Sequence, residues 1–186
     1  MPQIRVDETI VLKILDPEDT DALFSLVDKN RSYLREWLPW VDTNTTLEDS
    51  RLFIKSTQEQ HQLNLGFQCG IWFNELLAGI IGFHHIDWVN KNVEIGYWLG
   101  EEFQGQGIVT KACKAFINVA FYDYQLNRVQ VRCATGNKKS CAITERLGFT
   151  KEGTTRQAEF LYDRYVDLFI YGITADEWKT RYGEHK

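Results

Sequence analysis

The stretch from Val93 to Phe121 restricts the fold of this chain more than any other. Val93, Ile95, Tyr97 and Leu99 alternate with Glu94, Gly96 and Trp98, the two-residue period of a strand with unlike faces. Gly100-Glu-Glu-Phe-Gln-Gly-Gln-Gly-Ile follows at once. Beyond it Val109, Ala112, Cys113, Phe116, Ile117, Ala120 and Phe121 fall at i, i+3, i+4, i+7, i+8, i+11 and i+12, an apolar stripe along one helix face. A strand, a glycine-rich turn and a helix N-terminus in that order make an anion site. The first-turn amides have no partner inside the helix, and the helix dipole favours negative charge there. Gly105 and Gly107 carry no Cβ, so a diphosphate can approach the backbone closely, and Lys111 and Lys114 add positive charge nearby. The same glycines also suit a plain turn, so the residues alone leave both readings open. The segment lacks G-x-x-x-x-G-K-[ST] and is not a P-loop. It also comes too late in the chain for the β-α-β opening of a dinucleotide fold.

Around this centre the pattern is mixed. Ile10, Leu12 and Ile14 alternate as a short first strand. Asp16-Pro17-Glu18-Asp19 is a helix start, followed at helical spacing by Leu23, Leu26 and Val27. A second helical stretch carries Tyr33, Leu34, Trp37 and Leu38 and is expected to stop at Pro39, and Thr45-x-x-Glu48 is a capping box opening a third helix through about His61. Phe67–Phe73 and Leu76–Ile86 flank an Asn74-Glu75 turn as a hairpin. After the central helix, Val129, Val131 and Cys133 mark a strand. A short helix ends at Gly148. Two strands around 155–162 and 165–173 precede a terminal helix capped by Thr174-x-x-Glu177. The expected fold is α/β (α+β mixed), a mixed sheet with helices on its faces. Three prolines, no Gly/Ser run and no repeat argue for one unit over residues 8–182.

Composition narrows the function classes. With 21 Lys and Arg against 26 Asp and Glu, the formal charge is −5, and no basic stripe offers a nucleic-acid face. The four cysteines, at 69, 113, 133 and 141, are irregularly spaced with no C-x-x-C pair, so neither a zinc ribbon nor a disulfide framework is expected. Cys113 and Cys133 read as reduced, buried small hydrophobes. No metal site is expected. The N-terminus lacks a signal-peptide pattern and no stretch approaches the roughly 20 apolar residues of a membrane span, so the expected location is cytoplasmic, without membrane contact.

Two motifs carry a resemblance. Gln104-x-x-Gly107 resembles the Q/R-x-x-G-x-G/A acetyl-CoA motif of GNAT acetyltransferases, and Ile95-Gly-Tyr-Trp-Leu99 is similar to the strand leading into it. Val109 departs from the Gly or Ala frequent there. About 30 residues on, Asn137-Lys-Lys-Ser140…Leu147-Gly148-Phe149 resembles the family's N-x-x-S…L-G-F segment. Arg156-Gln157-Ala158-Glu159-Phe160, Arg164-Tyr165-Val166-Asp167 and Glu36-Trp37-Leu38-Pro39-Trp40 are similar to the RimJ/RimL branch. The resemblance implies the GNAT fold, a largely antiparallel twisted sheet splayed at an acetyl-CoA site. It also implies direct acetyl transfer to an amine, with the N-terminus of a ribosomal protein as the leading acceptor. Small-molecule amine acetylation and a non-catalytic acyl-CoA-binding module are the competing functions.

On this basis the acetyl-CoA-binding residues are Trp98, Leu99, Gln104, Gly105, Gln106, Gly107, Ile108, Val109, Thr110, Asn137 and Ser140. A backbone N–H near Leu99 polarises the carbonyl. Ser140 meets the leaving thiolate, because Thr144 stands where many members carry a tyrosine; Ser140 is equally at home as a residue that merely opens a helix. Glu159 is the leading general base, ahead of Glu94, which could simply pair with a basic neighbour. His84 and His85 come third, and strand alternation should let only one of them enter a site. Trp37, Trp40 and Trp88 are candidate walls of the acceptor groove, with His84. The expected partners are acetyl-CoA, the amine acceptor and, through sheet or helix contacts, a second copy of the chain.

Overall fold

The computed structural model describes residues 3–183. Eight strands form one sheet: β1 (Ile4–Arg5), β2 (Ile10–Lys13), β3 (Gln68–Phe73), β4 (Leu76–Asp87), β5 (Asn92–Leu99), β6 (Arg128–Ala134), β7 (Thr150–Leu161) and β8 (Arg164–Thr174). Their order is β1-β2-β3-β4-β5-β6-β8-β7. Every pairing is antiparallel except β5 with β6. The six helices are α1 (Thr20–Lys29), α2 (Arg31–Leu34), α3 (Leu47–Gln62), α4 (Ile108–Asn118), α5 (Lys138–Leu147) and α6 (Ala175–Tyr182). None is long and apolar enough to cross a membrane among the described residues.

Helices cover both faces. On one side the α4 stripe and Trp178 of α6 pack on the apolar face of β3–β6. Phe116 meets Phe83 with ring centroids 4.3 Å apart and Phe67 at 4.9 Å. The fully buried Trp178 donates its indole N–H to Asn118 Oδ1 at 2.8 Å. On the other side α1 and α3 lay Leu23, Leu26, Val27 and Ile54 over Leu15, Leu77 and Ile80. Asn74 and Glu75 both have positive φ, 47° and 67°, the twist a two-residue hairpin needs.

Several boundaries differ from the sequence reading. β1 lies ahead of residue 8, where that reading began the folded unit. The box opening α3 is Thr46 with Asp49, one residue later than Thr45 with Glu48: the Asp49 carboxylate accepts from the amides of both Thr45 and Thr46. α2 ends at Leu34 rather than at Pro39; looser turns follow and carry Trp37 and Leu38. The central helix widens into a π-helical turn over Val119–Asp123, which keeps Phe121 buried. β7 begins at Thr150, since its first half is an exposed polar edge with no alternation to read.

Asn30 ties the helical layer to the glycine turn. Its side chain donates to Leu26 O at 2.9 Å and accepts from Glu101 N–H at 2.8 Å, in a buried position. Asn30→Ala leaves that carbonyl and amide unpaired, and is expected to lower stability by about 1–3 kcal/mol. A urea titration should show a lower midpoint with an unchanged slope.

Candidate active site

β5 and β6 pair only at Asn92–Glu94 with Arg128–Gln130. β5 nevertheless stays on β4 as far as Leu99, and β6 stays on β8 as far as Ala134. The two strands therefore diverge, and the backbone of residues 95–99 has no partner on the β6 side. Two cavities open at the divergence, of about 960 Å³ and about 1100 Å³. Trp37, Leu38, Tyr97, Trp98, Asn137 and Ser140 line both, so the cavities meet there.

The first cavity runs to the N-terminus of α4. Gly105 and Gly107 have φ of 74° and 73°, in the left-handed region, and a Cβ at either would project into open space. No side chain caps α4, so its first amides face the groove unpartnered. Trp98, Leu99, Gln104, Gly105, Gly107, Ile108, Val109, Thr110, Asn137 and Ser140 line this cavity. Gln106 does not; its side chain is exposed. Val109 is buried, which explains why its bulk is tolerated. Lys111 lines the groove while its ammonium bonds Asp7 at 2.8 Å. Lys114 instead sits over the Tyr182 ring. Positive charge comes from residues the sequence reading passed over. Arg146 donates to Thr110 Oγ1 at 2.9 Å, and Lys139 to Gln104 Oε1 at 2.6 Å.

At the junction, α5 is capped by Asn137, whose Oδ1 accepts from Ser140 N–H at 3.1 Å. Ser140 is thus free of the capping role. Its hydroxyl donates to Tyr97 Oη at 3.3 Å, and the Tyr97 hydroxyl donates to Ser140 O at 3.2 Å. Burial pushes the Tyr97 phenol up, so it stays protonated. Thr144 is buried, with its hydroxyl spent on Cys141 O at 2.7 Å. The hydroxyl partner of Ser140 comes from the strand instead of the helix.

The second cavity holds the base candidates. Glu94 accepts from Arg132 Nε at 2.7 Å and Gln130 Nε2 at 3.2 Å, so its carboxylate is occupied. The Glu159 carboxylate makes no hydrogen bond or ion pair among the described residues and faces the same cavity. A bulge over residues 156–158 aims it there, with Gln157 at φ 49° and its N–H donating to Asp167 at 2.8 Å. Burial pushes the Glu159 carboxyl up; Arg132 opposes the rise and Glu94 adds to it. His84 and His85 both line this cavity, contrary to simple alternation, because β4 is irregular between Phe83 and Ile86. The His84 ring lies where a Cβ on Gly96 would collide with it. Trp37 and Trp40 are cavity walls, and Trp40 packs on Trp98 at 5.8 Å. Trp88 is not; its indole bonds Asn64 O at 2.7 Å on the far side of the sheet end. No cluster of three or more His, Cys, Asp or Glu side chains is placed to hold a metal among the described residues.

A family model described as acetyltransferase (GNAT) domain matches residues 9–150. The chain belongs to the GNAT acetyltransferases. It is an N-acetyltransferase with acetyl-CoA as cosubstrate, which sets aside the non-catalytic reading. This acetyltransferase is 35% identical over 176 residues to a Bacillus subtilis (strain 168) protein provisionally named ribosomal N-acetyltransferase YdaF, covering 94% of this chain and 96% of that one. It is 34% identical over 173 residues to the ribosomal-protein-serine acetyltransferase of Escherichia coli (strain K12), covering 93% and 97%. Its fold superposes with a TM-score of 0.91 on a solved structure of RimL, a ribosomal-protein alpha-N-acetyltransferase. That protein is in complex with coenzyme A, disulfide-linked to one of its cysteines. The match has 32% identity and covers 95% of this chain and 99% of that one.

The raised carboxyl of Glu159 has a consequence for the acetyltransferase's stability. A folded-state pKa above the unfolded one gives stability that is full below the unfolded value and is lost as pH rises through the folded value. Glu159→Gln should therefore gain stability relative to the wild type as pH rises above the ordinary carboxylate range, from about pH 4 upward. Parallel urea titrations check it, and a difference that stays flat with pH removes the buried-carboxyl account.

Proposed function

We propose that this chain acetylates the N-terminal α-amino group of proteins, ribosomal proteins among them, with Glu159 as base and Ser140 at the leaving group. The observation that carries the reading is the unpaired Glu159 carboxylate, facing an open cavity that joins the coenzyme groove at Ser140. The names of the relatives supply the acceptor class. The cysteine disulfide of coenzyme A in RimL accords with a cysteine of this chain, Cys133, beside Ser140.

The groove fits the coenzyme. Uncapped α4 amides with Gly105 and Gly107 take the diphosphate, while Arg146 and Lys139 add charge at its rim. Bound there, acetyl-CoA supplies an acetyl thioester. The unpaired β5 backbone donates to the developing oxyanion. Glu159 takes the proton of the α-ammonium, whose ordinary pKa of about 7.7–8.0 keeps the transfer modest for a carboxylate raised by burial. Ser140 turns its one hydroxyl proton from Tyr97 Oη to the sulfur as it leaves, while Tyr97 keeps its own bond to Ser140 O, and Trp37 and Trp40 exclude water around the acceptor.

A small cationic amine is the second reading, favoured by Asp49, Glu94 and Glu159 lining one cavity. We also propose a cytoplasmic enzyme with one catalytic domain, running from β1 through α6, and a homodimer. The exposed Phe160 and Tyr165 rings, 4.9 Å apart on the β7–β8 hairpin, support the latter. Sedimentation equilibrium checks the dimer, and a monomer mass across all concentrations removes it.

Thiol release from acetyl-CoA, run against ribosomal-protein N-terminal peptides and a small-amine panel, tests the acceptor. Turnover only on small amines replaces the function and keeps the site. Glu159→Gln should lower kcat by about 100-fold or more. Ser140→Ala should lower it by roughly tenfold, and adding Tyr97→Phe to Ser140→Ala should cost little further, since the two hydroxyls act as one unit.

A further inference from the structure

Acetyl transfer uses neither of two thiols at the junction. Cys133 at the end of β6 and Cys141 in the first turn of α5 bring their sulfurs to 3.2 Å. Both are free and buried. Cys133 forms part of the acceptor-cavity wall, and its thiol lies within hydrogen-bonding reach of the Ser140 side chain. A disulfide bond is about 2.05 Å long, so the two sulfurs need to close by only about 1 Å. The groove that carries a thioester sulfur to Ser140 carries the sulfur of a coenzyme A disulfide to the same place, beside Cys133. Cys69 and Cys113 are also buried, but neither lines either cavity and neither has a cysteine partner among the described residues; burial pushes the Cys69 thiol up to about 12.

We propose that Cys133 and Cys141 are a thiol–disulfide exchange site, loaded through the coenzyme groove by disulfides of coenzyme A and ending as a Cys133–Cys141 disulfide. The proposal rests on the acetyl-CoA reading of that groove. Cys133 gives its proton to water and its sulfur attacks the bound disulfide. The S–S bond breaks, one thiolate leaves and is protonated, and a mixed disulfide of Cys133 with coenzyme A forms. Cys141, likewise deprotonated, attacks the Cys133 sulfur, and coenzyme A leaves as a thiolate that takes up a proton. Two protein thiols are oxidised and one small disulfide is reduced to two thiols, with no other oxidant. The product ties β6 to α5 across the segment that holds Asn137 and Ser140, so it shifts the hydroxyl that serves the leaving group. Burial keeps Cys133 protonated at neutral pH, which makes exchange slow with any disulfide that the groove does not hold in place.

The reduced enzyme, free of small thiols, is incubated anaerobically with coenzyme A disulfide or with glutathione disulfide. It is then alkylated in denaturant and weighed. Trypsin cuts after Lys138 and Lys139, between the two cysteines, so their disulfide appears as a cross-linked peptide pair. The expected result with coenzyme A disulfide is a fall from four alkylated thiols to two, with that peptide pair. Glutathione disulfide should act at least about tenfold more slowly. Cys141→Ser should stop at an adduct of one coenzyme A, and Cys133→Ser should keep its three thiols. Calorimetry with coenzyme A is run alongside. Four thiols remaining while coenzyme A binds overturn the exchange site and leave the transferase reading intact. Equal rates with the two disulfides overturn loading through the groove, and loss of the thiols at 69 and 113 overturns the assignment to this pair. Failure of coenzyme A to bind overturns the groove reading and the proposal with it.

Discussion

The hydrogen bonds between β5 and β6 stop after three residue pairs, and the site depends on where they stop. A parallel pair continuing to Leu99 would close the sheet and bury both backbone edges in one another. Instead each strand keeps its outer partner, β4 for β5 and β8 for β6, and the inner edges separate. Backbone polar groups cannot stay buried and unpaired without cost. The separated edges are satisfied only by water or by a ligand with its own amides. A coenzyme with a pantetheine arm meets that need.

Charge is sorted across the same opening. Arg146, Lys139 and the α4 dipole gather on the coenzyme side of a protein with net charge −5. Asp49, Glu94 and Glu159 gather in the second cavity. Within it, Arg132 divides two carboxylates that look equivalent in sequence. It holds Glu94 in a bond of 2.7 Å and leaves Glu159 unbonded. The arginine thus decides which of the two carboxylates is left free in the cavity.

The strand, turn and helix from Val93 to Phe121 were legible because each rests on a local period or on glycine, and the structure keeps all three. The Asn74-Glu75 turn and the Thr174 cap were legible for the same reason. What was hidden depends on partners distant in sequence. Tyr97 was read only as an apolar strand position, and its contact with Ser140 spans 43 residues. Arg146 and Lys139 sit on a helix whose orientation over α4 no local pattern gives. The bulges at residues 84–85 and 156–158 are set by pairing with β5 and β8, and each re-aims a side chain that strict alternation misplaces. The polar first half of β7 carries no period because both its faces are exposed.

Two cavities that share only a short stretch of wall impose a geometry on anything that competes for them. Each cavity alone offers the grip of one reactant. A single molecule joining an acceptor amine to the sulfur of coenzyme A would occupy both at the cost of immobilising one body rather than two. Its second half would bind at the high local concentration set by the link, about millimolar for a short flexible one. The wall at Tyr97 and Ser140 fixes how long that link can be: a tether that cannot pass between them forfeits the gain entirely.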